Sequence, residues 1–451
     1  MLPQGPAPNA AIQSSFSWKA FWLLCALGLL VRVLVFAVNI HREEPVILQQ
    51  DSWEYIAAGD SLSKGNGFED ELGRALCWWP PGYASFLAVV FATGLASPTS
   101  LTGAVVAQIV ISSLVVGVAS LVAGWLGGTR AAIAAGVLMA IEPSSVAYSN
   151  LIMSETFFTA ALLGMILLWS LWWKRAHTIS LLLLAAYVGL LPLIRPVAIY
   201  LPFFLALVIA LSSAGGRPRF RAALIFLAVA LVAPVAWTAR NYAVLGVPGL
   251  ARVGEYELAR FAHHVEKEVG WKPQVSSEKE PWEEGFQIEH GYSFAEVARA
   301  RSRYFLKTVT SHPVVTFRML ATSTALLLGV PDSRLPLILM SPAPAYEGGS
   351  IRGRLVWLRQ LGTLGLLLVL GMVVSLGGVL AVPVLAMRAR TWHADRRWLL
   401  VLLVAATFFH MIMSSTVIWT AERYRVPVMP LLCVMFSVAV FGDRRTGGNP
   451  A

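Results

Sequence analysis

Apolar runs occupy about 19–40, 82–97, 101–125, 131–149, 156–173, 179–194, 196–213, 221–238, 314–330, 356–386, 398–416 and 424–441. A helix that crosses a bilayer needs about 20 apolar residues, and most of these runs are near that length. The pattern predicts an all-α polytopic membrane protein. Composition agrees, because hydrophobic residues are 57% of the 451 and charged residues 13%, against roughly a quarter in a soluble domain. The net charge of +10 gathers in short clusters between apolar runs. That is the positive-inside pattern of cytoplasmic loops and does not point to nucleic acid. Of the cysteines, Cys25 and Cys433 lie in apolar runs and Cys77 stands alone in a loop, so neither a disulfide framework nor a zinc site of the usual spacing is expected. The first run is too long for a signal-peptide core and reads as a retained anchor.

Counting every run as a span would put Lys174-Arg175-Ala176-His177 and Arg217-Pro218-Arg219-Phe220-Arg221 outside. Laying 82–97 on the outer surface returns both clusters to the cytoplasm, and its opening Trp78-Trp79-Pro80-Pro81 has the composition of an interface. The same parity asks that 314–330 be interfacial or re-entrant, which keeps Arg388-Ala389-Arg390 to Arg396-Arg397 and Asp443-Arg444-Arg445 inside. About ten spans result, or twelve if both segments cross. The chain then divides into a disordered tail (1–18), an amino-terminal transmembrane module (19–238) containing an outer loop (41–100), a second outer segment (239–355), carboxy-terminal transmembrane helices (356–441) and a cytoplasmic tail (442–451). The expected location is the inner (plasma) membrane, with the working face toward the periplasm or cell exterior.

Polar chemistry concentrates at the outer ends of these runs. Asp51 precedes a segment, Ser52 to Ser63, with Tyr55, Ile56, Ala58 and Leu62 near helical spacing, and Lys64-Gly65-Asn66-Gly67 stops that helix. Asp51 with Glu54 three residues on reads as a capping box, a role compatible with catalysis at a membrane surface. Ser154-Glu155 opens the 156–173 run, where a carboxylate gains from the helix dipole. Arg195-Pro196 interrupts a continuous apolar stretch, Arg240-Asn241-Tyr242 ends one span, and Glu422-Arg423-Tyr424-Arg425 precedes the last. A lone cation at a span end snorkels to headgroups, but these share an outer face that the positive-inside rule leaves poor in cations.

The ordered set Asp51-Ser52 with Tyr55, Gly65-Asn66-Gly67-Phe68, Pro80-Pro81-Gly82-Tyr83, Ser154-Glu155-Thr156, Arg195-Pro196, Arg240-Asn241-Tyr242 and Arg423-Tyr424-Arg425-Val426-Pro427 resembles the integral-membrane GT-C glycosyltransferases. Within these it is most similar to the bacterial branch related to protein O-mannosyltransferases and lipid A aminoarabinose transferases. The resemblance runs from about residue 20 to 440. It implies a GT-C-like bundle of ten to twelve transmembrane helices with periplasmic juxtamembrane helices, and an inverting transfer of one sugar from a polyprenyl-phosphate donor. The family's first-loop acidic residue falls on Asp51 and its second outer-loop acidic residue on Glu155. The mannosyltransferases often carry a paired Asp-Glu where this chain has Asp51-Ser52, so the acceptor stays open among lipid, glycan and protein.

The chemistry asks for these residue types independently. A departing phosphate needs cations, and guanidinium supplies them bidentately: Arg195, Arg240, Arg423 and Arg425 are the candidates. The acceptor hydroxyl needs a carboxylate to take its proton, with Asp51 as first choice and Glu155 sharing or orienting. Tyr55, Tyr83 and Tyr424 are candidate sugar or acceptor contacts, and residues 239–313, with Glu255, Tyr256, Trp271, Trp282, Glu283, Glu284 and His290, would shape the acceptor site. No cofactor or metal is expected; His263 and His264 are adjacent and diverge on a helix. Two rivals remain, a transporter or flippase of polyprenyl-linked sugars and an oligosaccharide polymerase or ligase.

Overall fold

Helix α1 (Trp18–Ile40) opens the chain, and its packing shows how the bundle is built. Its buried Arg32 donates to Ser112 Oγ at 2.7 Å and to the Ala140 carbonyl at 3.1 Å, two partners that lie far apart on α4 (Thr102–Ile141). They meet because α4 folds back on itself at Gly128, whose φ of 80° and ψ of −171° leave the helical region. A side chain at that φ would be strained, so glycine fits the turn. The runs expected at 101–125 and 131–149 are thus the two arms of one hairpin, the second continued by α5 (Pro143–Ser149). Arg32, the charged residue in the body of α1 beyond Lys19 in its first turn, is satisfied by backbone and hydroxyl partners.

The structure, a computed structural model, describes residues 17–443 apart from 50, 71, 176, 215–216, 248, 271–292, 332, 341–350 and 415–420. The expected tail at 1–18 therefore lies almost wholly outside the described residues, as does most of 442–451. After α1 come α2 (Ser52–Ser63) and α3 (Gly82–Ala92), then α4 and α5, α6 (Glu155–Arg175) and α7 (Thr178–Ile194). A 3-10 turn (Pro196–Tyr200) leads into α8 (Leu201–Leu211), followed by α9 (Phe220–Ala230), α10 (Val232–Leu245) and α11 (Val253–Glu268). Next are α12 (Phe294–Ser311), α13 (Pro313–Gly329), α14 (Arg334–Leu339), α15 (Ile351–Gln360), α16 (Thr363–Ala389) and α17 (Ala394–Ser414). A short α18 (Ala421–Arg425) and α19 (Met429–Phe441) close the chain. Among the described residues the only strand pairing joins Ser213–Ala214 to Arg217–Pro218. The molecule is an all-α polytopic membrane protein with 8 helical segments long and apolar enough to cross a bilayer among the described residues.

Some boundaries differ from expectation. The run 356–386 is not one helix: the chain turns at Leu361 and Gly362 between α15 and α16. Helix α3 has 11 residues, about 16 Å at 1.5 Å per residue, well short of the ~30 Å hydrocarbon core. Helix α13 starts against α11, where Arg318 pairs with Glu268 at 3.0 Å, and ends where Arg425 receives its carbonyls.

The two ends differ in chemistry. At one, Lys174 sits over Trp125, Arg219 over Trp172 and Trp173, and Arg388 donates to the Val438 carbonyl. At the other, α2, α3 and α11 form a cap over the span ends, tied together by the amides of Arg252 and Val253 on the carbonyls of Cys77 and Trp78.

Candidate active site

The loop between α5 and α6 brings distant residues together. Its Ile152 amide donates to the Ile47 carbonyl at 2.9 Å and its Ile152 carbonyl accepts from Ser52 Oγ at 2.8 Å. Gln108 Nε2 holds the Leu151 carbonyl at 2.7 Å, and Tyr83 donates its hydroxyl to the Gln108 amide oxygen. These bonds place Asp51, at the start of α2, beside Glu155, the first residue of α6.

The expected capping box at Asp51 does not form. Asp51 is the residue before α2, but its side chain makes no cap hydrogen bond. Its Oδ2 instead accepts from Arg423 Nη1 at 2.5 Å. Arg423 spans two carboxylates, since its Nε also donates to Glu155 Oε1. Arg195 Nη1 stands 2.7 Å from the same Glu155 oxygen. Glu155 is fully buried at 0% exposure, which is tolerable for a carboxylate because two guanidiniums flank it. Among the described residues, Glu155 Oε2 and Arg423 Nη2 have no hydrogen-bond partner and are shielded from solvent. Buried polar atoms are normally paired, so these two mark unused binding capacity.

Aromatic rings frame the ion cluster. Arg195 lies over the Tyr424 ring at 5.0 Å and Arg423 over Trp79 at 6.0 Å, within cation–π range. His410 Nε2 is 2.8 Å from the Tyr424 carbonyl and fixes the turn that carries both Arg423 and Arg425. Tyr55 packs between Trp79 and Tyr83, and burial pushes its phenol up, so it serves as a neutral hydroxyl.

Beside the cluster is a cavity of ≈ 440 Å³. Arg195, Tyr55, Ser154, Trp79 and Tyr424 form its polar wall. Glu257, Thr238 and Ser414 add polar groups, and apolar residues of the 3-10 turn, α11 and the end of α17 form most of the rest, among them Val197, Val253, Leu258 and Met413. Among the described residues no group of three or more His, Cys, Asp or Glu side chains could hold a metal ion.

Of the residues expected at a site, Asp51, Glu155, Arg195, Arg423, Tyr55 and Tyr424 come together. Three do not. Arg425 is buried beneath the cluster, donating to the carbonyls of Leu327, Leu328 and Val330 at 3.2, 3.2 and 2.9 Å. It terminates α13 and does not line the cavity. Arg240 donates to the Leu76 and Phe68 carbonyls at 2.8 and 3.2 Å and stacks on Trp237, pinning the 68–76 hairpin. Tyr83 is spent on Gln108.

Glu257, a charged residue of the cavity wall, was not among the expected site residues. Glu257 lines it from α11, together with Val253, Gly254 and Leu258, a helical repeat of one face. The named neighbours Glu255 and Tyr256 face elsewhere: Glu255 pairs with Arg252 at 3.6 Å and Arg301 at 3.7 Å, and Tyr256 lies 5.5 Å from Trp78. That face of α11 could be read only once the helix start at Val253 was known. Burial pushes the Glu257 carboxyl up, opposed by Arg260 and Arg423. Trp271, Trp282, Glu283, Glu284 and His290 lie outside the described residues.

The bundle carries a capped, ion-paired cleft at the end where α2, α3 and α11 cover the span ends. Residues 80–239 match the family model of dolichyl-phosphate-mannose-protein mannosyltransferases, a segment that contains Glu155 and Arg195. Two solved structures are similar to the chain, the first at fold level. The archaeal oligosaccharyltransferase AglB from Archaeoglobus fulgidus, in complex with an inhibitory peptide and a dolichol-phosphate, superposes with a TM-score of 0.50 at 13% identity, covering 94% of this chain and 50% of that one. An Archaeoglobus fulgidus oligosaccharyltransferase in complex with Zn and sulfate gives 0.49 at 13% identity, covering 93% and 48%. This chain therefore spans about half the length of the solved proteins it matches. Comparison with curated protein sequences gives no match. The resemblance read from the motifs holds in the family match and in the fold.

Proposed function

We propose that the protein is an inverting glycosyltransferase that moves a single sugar from a polyprenyl-phosphate donor to a lipid, glycan or protein acceptor at the outer face of the membrane. One observation carries the reading: Arg423 joins Asp51 to Glu155, and Glu155 pairs with Arg195, which lines the adjoining cavity. The donor phosphate engages Arg195 and Arg423, whose free Nη2 already lacks a partner. Its arrival competes for Arg423 and loosens the guanidinium from Asp51. The acceptor oxygen then bonds to the anomeric carbon from the side opposite the phosphate. As that bond forms, the acceptor proton passes to the Asp51 carboxylate, and the carbon–oxygen bond to phosphate breaks with its electron pair leaving on polyprenyl phosphate. Glu155 keeps both arginines aimed at the phosphate.

The orientation follows from charge. Lys174, Arg219, Arg388 and Arg390 cluster at the end opposite the cleft, which the positive-inside rule makes cytoplasmic. The cleft then opens to the periplasm or cell exterior, with α3 and α13 lying at that surface. A flippase would need ionisable groups exposed to a path across the bilayer, whereas the charge within α1, Arg32, is consumed by backbone carbonyls and Ser112. The cavity suits one sugar and its phosphate better than an oligosaccharide diphosphate. The deciding experiment supplies purified protein in lipid nanodiscs with radiolabelled polyprenyl-phosphate hexoses and pentoses and a lipid extract as acceptor. Transfer with release of polyprenyl phosphate supports the reading; consumption of diphosphate-linked donors alone would replace it with the polymerase or ligase.

A further inference from the structure

We infer that Glu257 reads the hydroxyls of the transferred sugar, so that the donor lies across the cavity with its phosphate at Arg195 and Arg423 and its sugar against α11. The inference rests on the donor reading given above. Arg195 and Glu257 are the charged side chains that line the cavity, of opposite sign and on separate elements, among otherwise neutral walls. A sugar phosphate has the matching polarity: an anion at one end and hydroxyl donors at the other.

The carboxyl of Glu257 is free enough to act. Its one ion pair among the described residues is a long contact, 3.4 Å from Oε1 to Arg260 Nη1, and its side chain is 21% exposed. Carboxylate oxygens accept several hydrogen bonds, so Glu257 can take neighbouring sugar hydroxyls while Arg260 keeps it in place. The charges of Asp51 and Arg423 act on its carboxyl across the site. Trp79, Tyr55 and Tyr424 line the same space and offer ring faces to the sugar's carbon skeleton.

Glu257 also stands apart from the phosphate machinery in the chain. Glu155 and Arg195 belong to the segment that matches the family model, which ends at 239, whereas α11 follows it. The sugar would thus be chosen by an element outside the matched segment.

The test compares wild type, Glu257→Ala and Glu257→Gln in nanodiscs. Binding is measured for a short-chain polyprenyl phosphate and for the same lipid bearing mannose, glucose, galactose or arabinose. The wild type should prefer at least one glycosylated lipid over the bare phosphate. Glu257→Ala should cut that preference roughly 10-fold to 100-fold, the loss expected of a hydrogen bond to a charged group, while bare-lipid affinity stays unchanged. Glu257→Gln, which keeps shape and an acceptor oxygen, should fall between. Equal loss of bare and glycosylated lipid would make Glu257 structural and overturn the inference, as would an unchanged preference. A wild type that binds neither lipid removes the donor reading itself, and one that binds all lipids equally removes only the sugar-reading role.

Discussion

Arg423 Nη1 lies 2.5 Å from Asp51 Oδ2, across 372 positions of sequence. The last helical segment and the first outer loop are thereby joined at a single ion pair, and a second carboxylate, Glu155, shares the same guanidinium. An incoming phosphate can compete with both carboxylates for that guanidinium.

Asp51→Asn keeps a side chain able to accept a hydrogen bond from Arg423 and removes the base. Transfer should fall on the order of 100-fold or more, with expression and thermal stability retained. Turnover by the purified variant close to that of wild type would take Asp51 out of the proton-accepting role.

Arg423→Ala leaves Glu155 with one guanidinium and Asp51 with none. The cost to stability should be on the order of 3 kcal/mol, and donor binding should weaken together with rate. Combining Arg423→Ala with Glu155→Gln should lower stability further without recovering transfer, because Arg195 is then buried without a carboxylate partner and the phosphate contact is not restored. Thermal melts alongside donor titrations separate the two effects; recovered transfer in the double variant would rule out a phosphate role for Arg423.

Arg425→Ala should behave differently. Its loss strips donors from the Leu327, Leu328 and Val330 carbonyls, so stability should drop by about 1–3 kcal/mol while donor affinity of the folded protein is kept. A selective loss of donor affinity would return Arg425 to the phosphate site.

Gly82 begins α3, and a Cβ there would stand 2.6 Å from the Leu193 carbonyl oxygen at the end of α7. Gly82→Ala should therefore push α3 away from the span ends and cost about 1–3 kcal/mol. Unchanged melting would show that α3 shifts freely over α7.

Cysteines introduced at Lys174, Arg219 and Arg390 should resist an impermeant thiol reagent added from outside, and one at Asn66 should react, in a chain lacking Cys25, Cys77 and Cys433. Outside labelling at position 390 would mean that α13 crosses the bilayer.

The motifs at span ends were legible because each couples a polar residue to an abrupt end of apolar sequence: Ser154-Glu155 and Arg195-Pro196 stand out from their surroundings. The separate fates of Arg423 and Arg425 were not legible. Two residues apart in one short turn, their side chains leave in different directions, one to the carboxylates and the other to the end of α13. Likewise Glu255 and Glu257 are equally polar in sequence, and only the packing of α11 turns one toward Arg252 and the other into the cavity.

By itself the sequence determined that this chain is a helical membrane protein with its polar chemistry at the span ends, because hydrocarbon selects apolar runs of span length residue by residue. The grouping of Asp51, Glu155, Arg195 and Arg423, and the exclusion of Arg240, Arg425 and Tyr83, were decided by tertiary structure. The reason is that a buried charge must find its partner through the packing of helices distant in the chain, and no local pattern records which of several equivalent arginines that partner will be.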